Sequence, residues 1–525
     1  MATVPVHLQP APVHTEAIAH GQPPCAGLTA APLTPCTIVV FGASGDLTAR
    51  KLLPALYNLF RHDGLPTKVA IVGCGRTEMD DITFRERLRE AVQPEDGEQW
   101  RTFSRHLHYQ RIDYDSASSF AALAMVLRRI DRHHQTNGNR IFYLAVPPSL
   151  YPTIAARVGL AGLAEEQGNG NGWTRIVVEK PFGRDLASAI ELDQTLHLHF
   201  AEHQIFRIDH YLAKETVQNV LMIRFANAIF EPIWNRNYID YVGIVAAEQL
   251  GVEHRAGFYE QAGVLRDMFQ NHMQQLLALT AMEPPSRFEA DRVRDETVKV
   301  FRSLKPFDRT NAAENLVLGQ YGPGRINGRD VAGYRDEPGV DADTRTPTFA
   351  MMRVFIDNWR WRHMPFYLIS GKRLARKETR IIVQFKGVPH SMFPQLAAGR
   401  IGANRLTLGI FPEEEIRLTF QTKSPGPRVC LRPVTMNFKY HQDAPTVAID
   451  AYEKVLLDCM TGDQTLFWRQ DGVEQCWKFL SPILDQCESC ADKTIEPQPY
   501  AAGSWGPEAA RSWMRLLMQG EGNEL

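Results

Sequence analysis

Four polar side chains of different chemistry lie within six residues of one another, and together they are suited to holding an anion. They are Asp209, His210, Tyr211 and Lys214. If the segment is helical from Asp209, the other three side chains fall on one face within about 100° of arc. An imidazole, a phenol and an ammonium on one face can hold a phosphate dianion. Asp209 has an alternative, structural role as the cap of that helix.

Two further residues are candidates for acid–base or charge chemistry. Lys180 follows an apolar run closely, and ligands collect at the carboxyl ends of strands in open α/β sheets. His272 lies in a segment with helical periodicity, and a neutral imidazole has the basicity to accept a proton near pH 7. A histidine on an amphipathic helix is more often structural, so His272 by itself does not identify a site.

The run GASGDL lies directly between a predicted strand and a predicted helix. Glycines at such a turn let the backbone approach a pyrophosphate, and the helix N-terminus offers free N–H groups. The run lacks the third glycine of the usual dinucleotide fingerprint, so a tight turn without a ligand is the alternative interpretation. The coenzyme-binding candidates in it are Gly42, Ser44, Gly45, Asp46 and Leu47.

The end of the next predicted strand distinguishes between the two nicotinamide coenzymes. NAD sites of this type usually carry an acidic residue there, which binds the ribose 2′-hydroxyl. This chain has Arg76 instead, and its planar cation suits a 2′-phosphate. The sequence therefore predicts NADP, with NAD as a weaker alternative. A surface pairing of Arg76 with Glu78 or Asp80 is the structural interpretation.

Short apolar runs alternate with helical patterns as far as Arg207. This alternation predicts a doubly wound α/β domain of the Rossmann type over residues 34–208. Its apolar runs are short and rich in β-branched residues, as expected of buried parallel strands. The expected strands are Thr37–Phe41, Lys68–Val72, Leu107–Ile112, Arg140–Val146, Thr174–Val178 and Gln204–Ile208.

The rest of the chain has a different pattern, because strands follow one another without helices between them. After a helix at Tyr211–Phe225, the pattern predicts an α+β domain with a large, mainly antiparallel sheet over residues 209–510. The stretch Gly319–Pro347 is expected to be a long loop, and residues 511–525 a tail. The expected strands are Tyr241–Ala247, Ala350–Ile356, Arg380–Phe385, Leu406–Ile410 and Arg417–Phe420.

Composition excludes several classes of function. The chain of 525 residues carries 60 acidic and 58 basic residues, so its net charge of −2 gives no indication of nucleic-acid binding. No apolar run is long enough to span a bilayer. Residues 1–33 are rich in Pro, Ala, His and Thr and are expected to be a disordered lead-in. The cysteine usage fits a reducing cytoplasm, and no clustered ligand spacing indicates a metal site.

An ordered set of motifs between Thr37 and Trp505 resembles the glucose-6-phosphate dehydrogenase family. The motifs are GASGDLTARKLLPALYNLF, VVEKPFGRDL, RIDHYLAKE, RDMFQNHMQQLLAL, DNWRWRHMPFYLISGKRL and YAAGSWGP, of which RIDHYLAKE is the most specific. The resemblance implies oxidation of D-glucose 6-phosphate at C1 to 6-phospho-D-glucono-1,5-lactone, with hydride transfer to NADP⁺. It also implies a homodimer or homotetramer, because the family dimerises through its sheet domain.

The resemblance assigns a role to each candidate residue. It implies that His272 is the general base and Asp209 its orienting carboxylate, with Lys180 between coenzyme and sugar and a cis peptide bond before Pro181. Arg76 would meet the NADP 2′-phosphate. Glu248 and Asp267 would bind sugar hydroxyls, and the phosphate would be held by His210, Tyr211, Lys214 and Lys372, with Lys377 nearby.

The sequence departs from the family pattern at two positions. Phe411 occupies a position near the sugar phosphate where a Gln is expected, and a phenyl ring cannot donate a hydrogen bond. Thr48 occupies a position where Ala is common. Two alternative functions therefore stay open: another NAD(P) enzyme of the glucose–fructose oxidoreductase type, and a sugar-phosphate-binding paralogue that has lost catalysis. Phe411 favours the second of these.

Overall fold

The computed structural model describes residues 33–166, 172–392, 401–427, 429–440, 449–488 and 496–518. The expected lead-in, residues 1–33, therefore lies outside the described residues except for Leu33. None of the helices in the described ranges is long and apolar enough to cross a bilayer.

The first part of the chain forms a six-stranded parallel sheet in the order β3-β2-β1-β4-β5-β6. This is the order of the doubly wound dinucleotide-binding fold, which confirms the prediction for this half. Its strands are buried because helices cover both faces, which explains their apolar runs. The strands are β1 (Cys36–Phe41), β2 (Val69–Gly75), β3 (Leu107–Arg111), β4 (Arg140–Leu144), β5 (Thr174–Val178) and β6 (Ile205–Arg207).

The helices of this half follow the strands in alternation. A π-helical turn, Thr48–Leu52, leads into the first of them. They are α1 (Leu53–Arg61), α2 (Asp81–Val92), α3 (Gly97–Ser104), α4 (Ala117–His134), α5 (Tyr151–Leu160) and α6 (Leu186–His197).

The second part contains a nine-stranded sheet in the order β16-β15-β14-β13-β7-β12-β11-β8-β17. Only the pairs β7–β12 and β8–β17 are parallel, so the predicted mainly antiparallel sheet is confirmed. Its strands are β7 (Ile239–Ala247), β8 (Leu316–Gly322), β11 (Phe349–Phe355), β12 (Pro365–Gly371), β13 (Glu378–Phe385), β14 (Arg405–Phe411), β15 (Glu415–Lys423), β16 (Leu431–Lys439) and β17 (Gln498–Ala501).

Helices pack on this sheet and extend back towards the first one. The helices are α7 (Glu215–Phe225), α8 (Ala256–Val264), α9 (Gln274–Ala281), α10 (Ala290–Arg302), α11 (Arg309–Asn315), α12 (Ala451–Thr461), α13 (Gln470–Glu488) and α14 (Arg511–Leu517). A π-helical segment, Leu265–Met273, follows a kink at Gly263 near the end of α8 and continues directly into α9.

The predicted helix at Tyr211–Phe225 starts later than expected. Residues 209–214 form turns, and α7 begins at Glu215 because Lys214 has an extended backbone, with φ −72° and ψ 130°. Asp209 accepts a hydrogen bond from the Tyr211 backbone N–H at 3.0 Å, so it closes a local turn instead of capping a helix. The prediction that His210, Tyr211 and Lys214 lie on one face of a helix was therefore wrong.

The stretch Gly319–Pro347 is not a single loop, contrary to expectation. It contains the end of β8 and a hairpin of two short strands, β9 (Gly324–Ile326) and β10 (Arg329–Val331). The hairpin turn is Asn327-Gly328, and both residues have positive φ, 51° and 78°. Asn-Gly is a strong local hairpin signal, but the surrounding Gly and Pro residues indicated a loop instead.

The C-terminal part of the chain contacts both sheets. Helix α12 buries Val455, Leu456 and Met460 in the same apolar cluster as Leu56 of α1. Helix α14 lies on the nine-stranded sheet, where the Leu517 side chain packs directly against Gly243. The described part of residues 511–525, the expected tail, is therefore integrated into the second half of the molecule.

We predict that Leu517→Ala destabilises the protein by about 2–5 kcal/mol, because the side chain is fully buried against the sheet. The measurement is the midpoint of urea unfolding followed by circular dichroism. Arg515→Ala, which changes an exposed residue of the same helix, is the control and should lie within about 0.5 kcal/mol of the wild type. Equal stability of both variants would show that α14 does not dock on the sheet.

Candidate active site

A cavity of about 1540 Å³ lies where the carboxyl ends of the parallel strands face the second half of the molecule. Its wall includes the turn after β1, the residues after β4 and β5, and the segment after β6, as the strand-end rule requires. Eleven of the predicted site residues line it: Gly45, Asp46, Leu47, Lys180, His210, Tyr211, Lys214, Glu248, Asp267, His272 and Lys377.

The buried pair Asp209–His272 forms the centre of this site. His272 Nδ1 lies 2.5 Å from Asp209 Oδ1, and both side chains are almost completely buried. Burial opposes ionisation of Asp209, but the imidazole beside it lowers the pKa of the carboxyl to about 2. Burial also lowers the pKa of His272, against the opposing effect of Asp209. The pair is therefore a neutral imidazole that donates from Nδ1 to an ionised carboxylate, which leaves Nε2 as an acceptor.

The Lys180 ammonium is hydrogen-bonded to this acceptor, His272 Nε2. Its Nζ lies 2.8 Å from His272 Nε2 and also donates to the backbone oxygen and Oδ1 of Asp267, at 3.1 and 3.3 Å. The ammonium is one cause of the lowered pKa of His272, because it disfavours a second positive charge nearby. The expected cis peptide bond is present between Lys180 and Pro181.

The helix that carries His272 has a local geometry that the sequence does not reveal. Asp267 and His272 are five residues apart, and in an α-helix their directions would differ by about 140°. They lie instead in the π-helical segment, in which hydrogen bonds join residues five apart. Both side chains consequently line the cavity.

Lys372 does not line the cavity itself but is buried behind two carboxylates that do, Glu248 and Asp267. Its Nζ is bonded to Glu248, lies 3.9 Å from Asp267 Oδ2, and is 5.1 Å from the centre of the Tyr259 ring. Burial would raise the pKa of Asp267, but the ammonium groups of Lys180 and Lys372 lower it to about 2. This end of the site is a set of charged donors and acceptors that suits hydroxyl groups.

A second group of cations lies around two aromatic rings. Lys214 Nζ is 4.2 Å from the centre of the Tyr211 ring and 5.5 Å from that of Phe411. Lys377 Nζ is 4.4 Å from the centre of the Phe411 ring. The Tyr211 ring stacks on the His272 ring, with centres 4.1 Å apart, so this group adjoins the Asp209–His272 pair. Lys377, and not Lys372, therefore lies with Lys214 at the Phe411 ring.

The turn Gly42–Leu47 has the geometry of a dinucleotide-binding turn. Gly42 has φ +84°, and a Cβ atom there would lie 2.1 Å from the Ala145 carbonyl oxygen, so only glycine fits. Thr48, the unusual residue after the turn, is fully buried and donates through Oγ1 to the Gly42 carbonyl at 3.1 Å. Its hydroxyl therefore stabilises the turn.

Arg76 lies beside this turn and is exposed. Its neighbour Thr77 is 3.4 Å from the Ser44 hydroxyl. The suggested surface pairing is not seen, because Glu78 pairs with Arg111 at 3.1 Å and Asp80 caps α2 at Thr83 N. Among the described residues no carboxylate pairs with Arg76.

Several residues of the site were missed by sequence reasoning. Arg87 donates to the Ser44 carbonyl at 2.8 Å, which adds a second cation beside the turn. Tyr452, on α12, lines the cavity from a distant part of the chain. Glu179 is half-buried, accepts a hydrogen bond from Tyr143 at 2.6 Å and has a pKa raised mainly by desolvation. Of these residues, only Glu179 could have been found from the sequence, because it precedes Lys180 in the motif VVEKPFGRDL.

Two groups of potential metal ligands occur in the described part of the chain. In the first, Asp209 and His272 lie only 2.5 Å apart, which is too close for an ion between them. In the second, formed by Asp193, His197 and Glu202, the Arg207 guanidinium donates to both carboxylates at 2.6 and 2.8 Å and supplies the compensating charge.

Comparison with known families agrees with this geometry. Residues 39–219 match the NAD binding domain of glucose-6-phosphate dehydrogenase, and residues 221–519 match its C-terminal domain. The chain belongs to the glucose-6-phosphate dehydrogenase family.

Similar members of the glucose-6-phosphate dehydrogenase family cover nearly the whole chain. The glucose-6-phosphate 1-dehydrogenase of Aggregatibacter actinomycetemcomitans is 45% identical over 478 residues, 90% of this chain and 94% of the relative. That of Treponema pallidum is 46% identical over 486 residues, 91% and 93% of the two chains. A solved structure of glucose-6-phosphate dehydrogenase in complex with its substrate glucose 6-phosphate has a TM-score of 0.84 at 31% identity, and covers 95% of this chain and 100% of that one.

Proposed function

We propose that this protein oxidises D-glucose 6-phosphate at C1 to 6-phospho-D-glucono-1,5-lactone and transfers the hydride to NADP⁺. The observation that carries the proposal is the position of His272. Its Nε2 faces a cavity that has a dinucleotide-type turn on one side and two cations without carboxylate partners on the other. The reaction belongs to the oxidative breakdown of glucose by way of pentose phosphates.

His272 is the general base of this reaction. The lone pair on Nε2 accepts the proton of the C1 hydroxyl while the C1 hydride leaves, and C1 becomes the lactone carbonyl carbon. The nicotinamide coenzyme, when bound, supplies the hydride acceptor. Asp209 holds the imidazole in the Nδ1–H tautomer and stabilises the imidazolium that forms. Before this step Lys180 must release Nε2, and its other bonds to Asp267 keep it within the site.

The remaining residues divide between the two ends of the sugar phosphate. Lys214 and Lys377 bind the phosphate, together with His210 and Tyr211. Lys372, Glu248 and Asp267 bind the sugar hydroxyls, because the charges in this group are already paired and offer both donors and acceptors. Lys372 therefore takes part at the hydroxyl end, which revises the role that the resemblance gave it.

The coenzyme site uses the turn Gly42–Leu47 and Arg76. The absence of a Cβ atom at Gly42 lets the turn pack against the Ala145 carbonyl, and the adjoining helix start offers N–H groups to a pyrophosphate. Arg76 gives the site a preference for NADP, because its guanidinium is exposed beside the turn and is not neutralised by Glu78 or Asp80. NAD is the weaker alternative.

We further propose that the protein is a homo-oligomer built on the nine-stranded sheet. Strand β16 is at the edge of that sheet, and its Met436 and Phe438 side chains are 51% and 36% exposed. Exposed apolar residues on an edge strand are typical of an interface. A cytoplasmic location accords with the buried, free thiols of Cys36, Cys74, Cys459 and Cys476.

We predict that the protein reduces NADP⁺ rapidly with glucose 6-phosphate, measured as absorbance at 340 nm, and that His272→Asn lowers kcat by about 10²–10⁴-fold. KM should change little, because the base acts mainly in the transition state. His203→Asn, which changes an exposed histidine, is the control. An unchanged kcat in His272→Asn would disprove the base assignment. No reduction by folded wild-type protein would favour the paralogue without catalysis.

We predict that Lys180→Met moves the acid limb of the kcat/KM profile to higher pH. The base must be neutral to act, and Lys180 helps to lower the pKa of His272, so removing this ammonium raises that pKa. Profiles should be measured from pH 5 to 9 with the residual activity of the variant. Arg184→Met, which removes an exposed cation at the rim, should leave the limb in place. An acid limb that stays in place in Lys180→Met would show that the ammonium does not act on the base.

We predict that Arg76→Ala raises the KM for NADP⁺ far more than the KM for NAD⁺, by about tenfold or more, because a charge-assisted bond to the 2′-phosphate is lost. Arg111→Ala removes a cation near the end of the neighbouring strand β3 that is already paired with Glu78, and it is the matched control. Equal effects on both coenzymes would refute the 2′-phosphate contact.

A further inference from the structure

The Phe411 ring is in contact with two ammonium groups inside the cavity. Phe411 ends β14 and pairs with Thr379 of β13, so its position is set by the sheet. Lys377, just before β13, places its Nζ 4.4 Å from the ring centre. Lys214, just before α7, places its Nζ 5.5 Å from the same centre. One ring therefore joins two lysines that come from different elements.

The two lysines are in an unusual electrostatic position. Neither ammonium forms an ion pair with a carboxylate within the described ranges, although acidic residues line much of the same cavity. Burial lowers the pKa of Lys214, the carboxylate charges of Asp209 and Glu414 act against this lowering, and the charge of Lys377 adds to it. Two cations that repel each other need a compensating negative potential to stay together. The faces of aromatic rings carry such a potential.

We propose that Phe411 is a positioning residue of the anion site, which holds Lys214 and Lys377 together by cation–π contacts so that both can meet the phosphate dianion. The inference rests on the proposed function for the identity of the anion. Phe411 itself offers no hydrogen bond, so the phosphate is recognised by the two charges and not by a neutral donor at this position. The loss of a polar side chain here is then compatible with full catalysis.

A simple packing role for Phe411 predicts different behaviour. If the ring only fills space, any side chain of similar volume will serve, and the electron density of the ring is irrelevant. If the ring holds cations, affinity for the anion follows the strength of the ring quadrupole at constant size. Fluorinated phenylalanines separate these roles, because each fluorine weakens the quadrupole with little change in volume.

The test is site-specific incorporation of mono-, di- and trifluorophenylalanine at position 411, together with Phe411→Leu and Phe411→Tyr. Two quantities are measured for each protein: the KM for glucose 6-phosphate, and the dissociation constant of inorganic phosphate by calorimetry without turnover. Both should rise stepwise with fluorine count, and Phe411→Leu should raise them about three- to tenfold with kcat within about twofold. Phe411→Tyr, which keeps the ring, should resemble the wild type. Phe288→Leu, at a phenylalanine that is 59% exposed and outside the cavity, is the control.

A double-mutant cycle that combines Phe411→Leu with Lys377→Met measures the coupling between the ring and this ammonium directly. Phe411→Leu should have a smaller effect in the Lys377→Met background than in the wild type, because one of the two cations is already absent. A flat fluorine series, or an unchanged effect of Phe411→Leu in the cycle, would overturn the inference. If the wild type binds phosphate but does not oxidise glucose 6-phosphate, the proposed function fails while the calorimetric series still decides the role of Phe411.

Discussion

The hydrogen bond between Asp209 and His272 connects the two halves of this molecule. Asp209 follows the last strand of the parallel sheet, and His272 lies on the long helix of the second half. Both side chains are buried, and an ionised carboxylate without a partner at this depth would cost several kcal/mol. The pair therefore stabilises the arrangement of the halves in which these two groups meet. The same arrangement places His272 at the carboxyl ends of the strands, where the turn Gly42–Leu47 also lies.

The charged side chains of the cavity form two groups, one in which cations and carboxylates are paired and one that contains only cations. Near His272, the carboxylates of Asp267 and Glu248 are paired with the ammonium groups of Lys180 and Lys372, so Asp267 stays ionised despite its burial. At the far end, the cations of Lys214 and Lys377 face aromatic rings and have no carboxylate partner in the described part of the chain. A dianion is attracted to the unpaired cations, whereas neutral hydroxyls are bound by the paired group. The orientation of a sugar phosphate follows from this division.

Local backbone geometry supports the same site at three points. The positive φ of Gly42 lets the turn pack against the Ala145 carbonyl, and the Thr48 hydroxyl stabilises the turn by donating to the Gly42 carbonyl. The π-helical segment Leu265–Met273 directs both Asp267 and His272 into the cavity. The end of β14 fixes the Phe411 ring beside the lysines. In each case a small departure from regular structure lies at a residue with a chemical role.

The sequence by itself determined the fold class, the location of the site at strand ends and eleven of the residues that line the cavity. Apolar periodicity and the run Gly42–Leu47 are local signals, and parallel strands necessarily gather their carboxyl ends at one edge. Tertiary structure alone decided which distant residues meet. It replaced the expected helical start after Asp209 with turns, formed a hairpin at Asn327-Gly328, placed Lys377 beside the Phe411 ring, and brought Tyr452 to the wall. These outcomes depend on burial and charge pairing between segments far apart in the chain, which no local pattern of residues encodes.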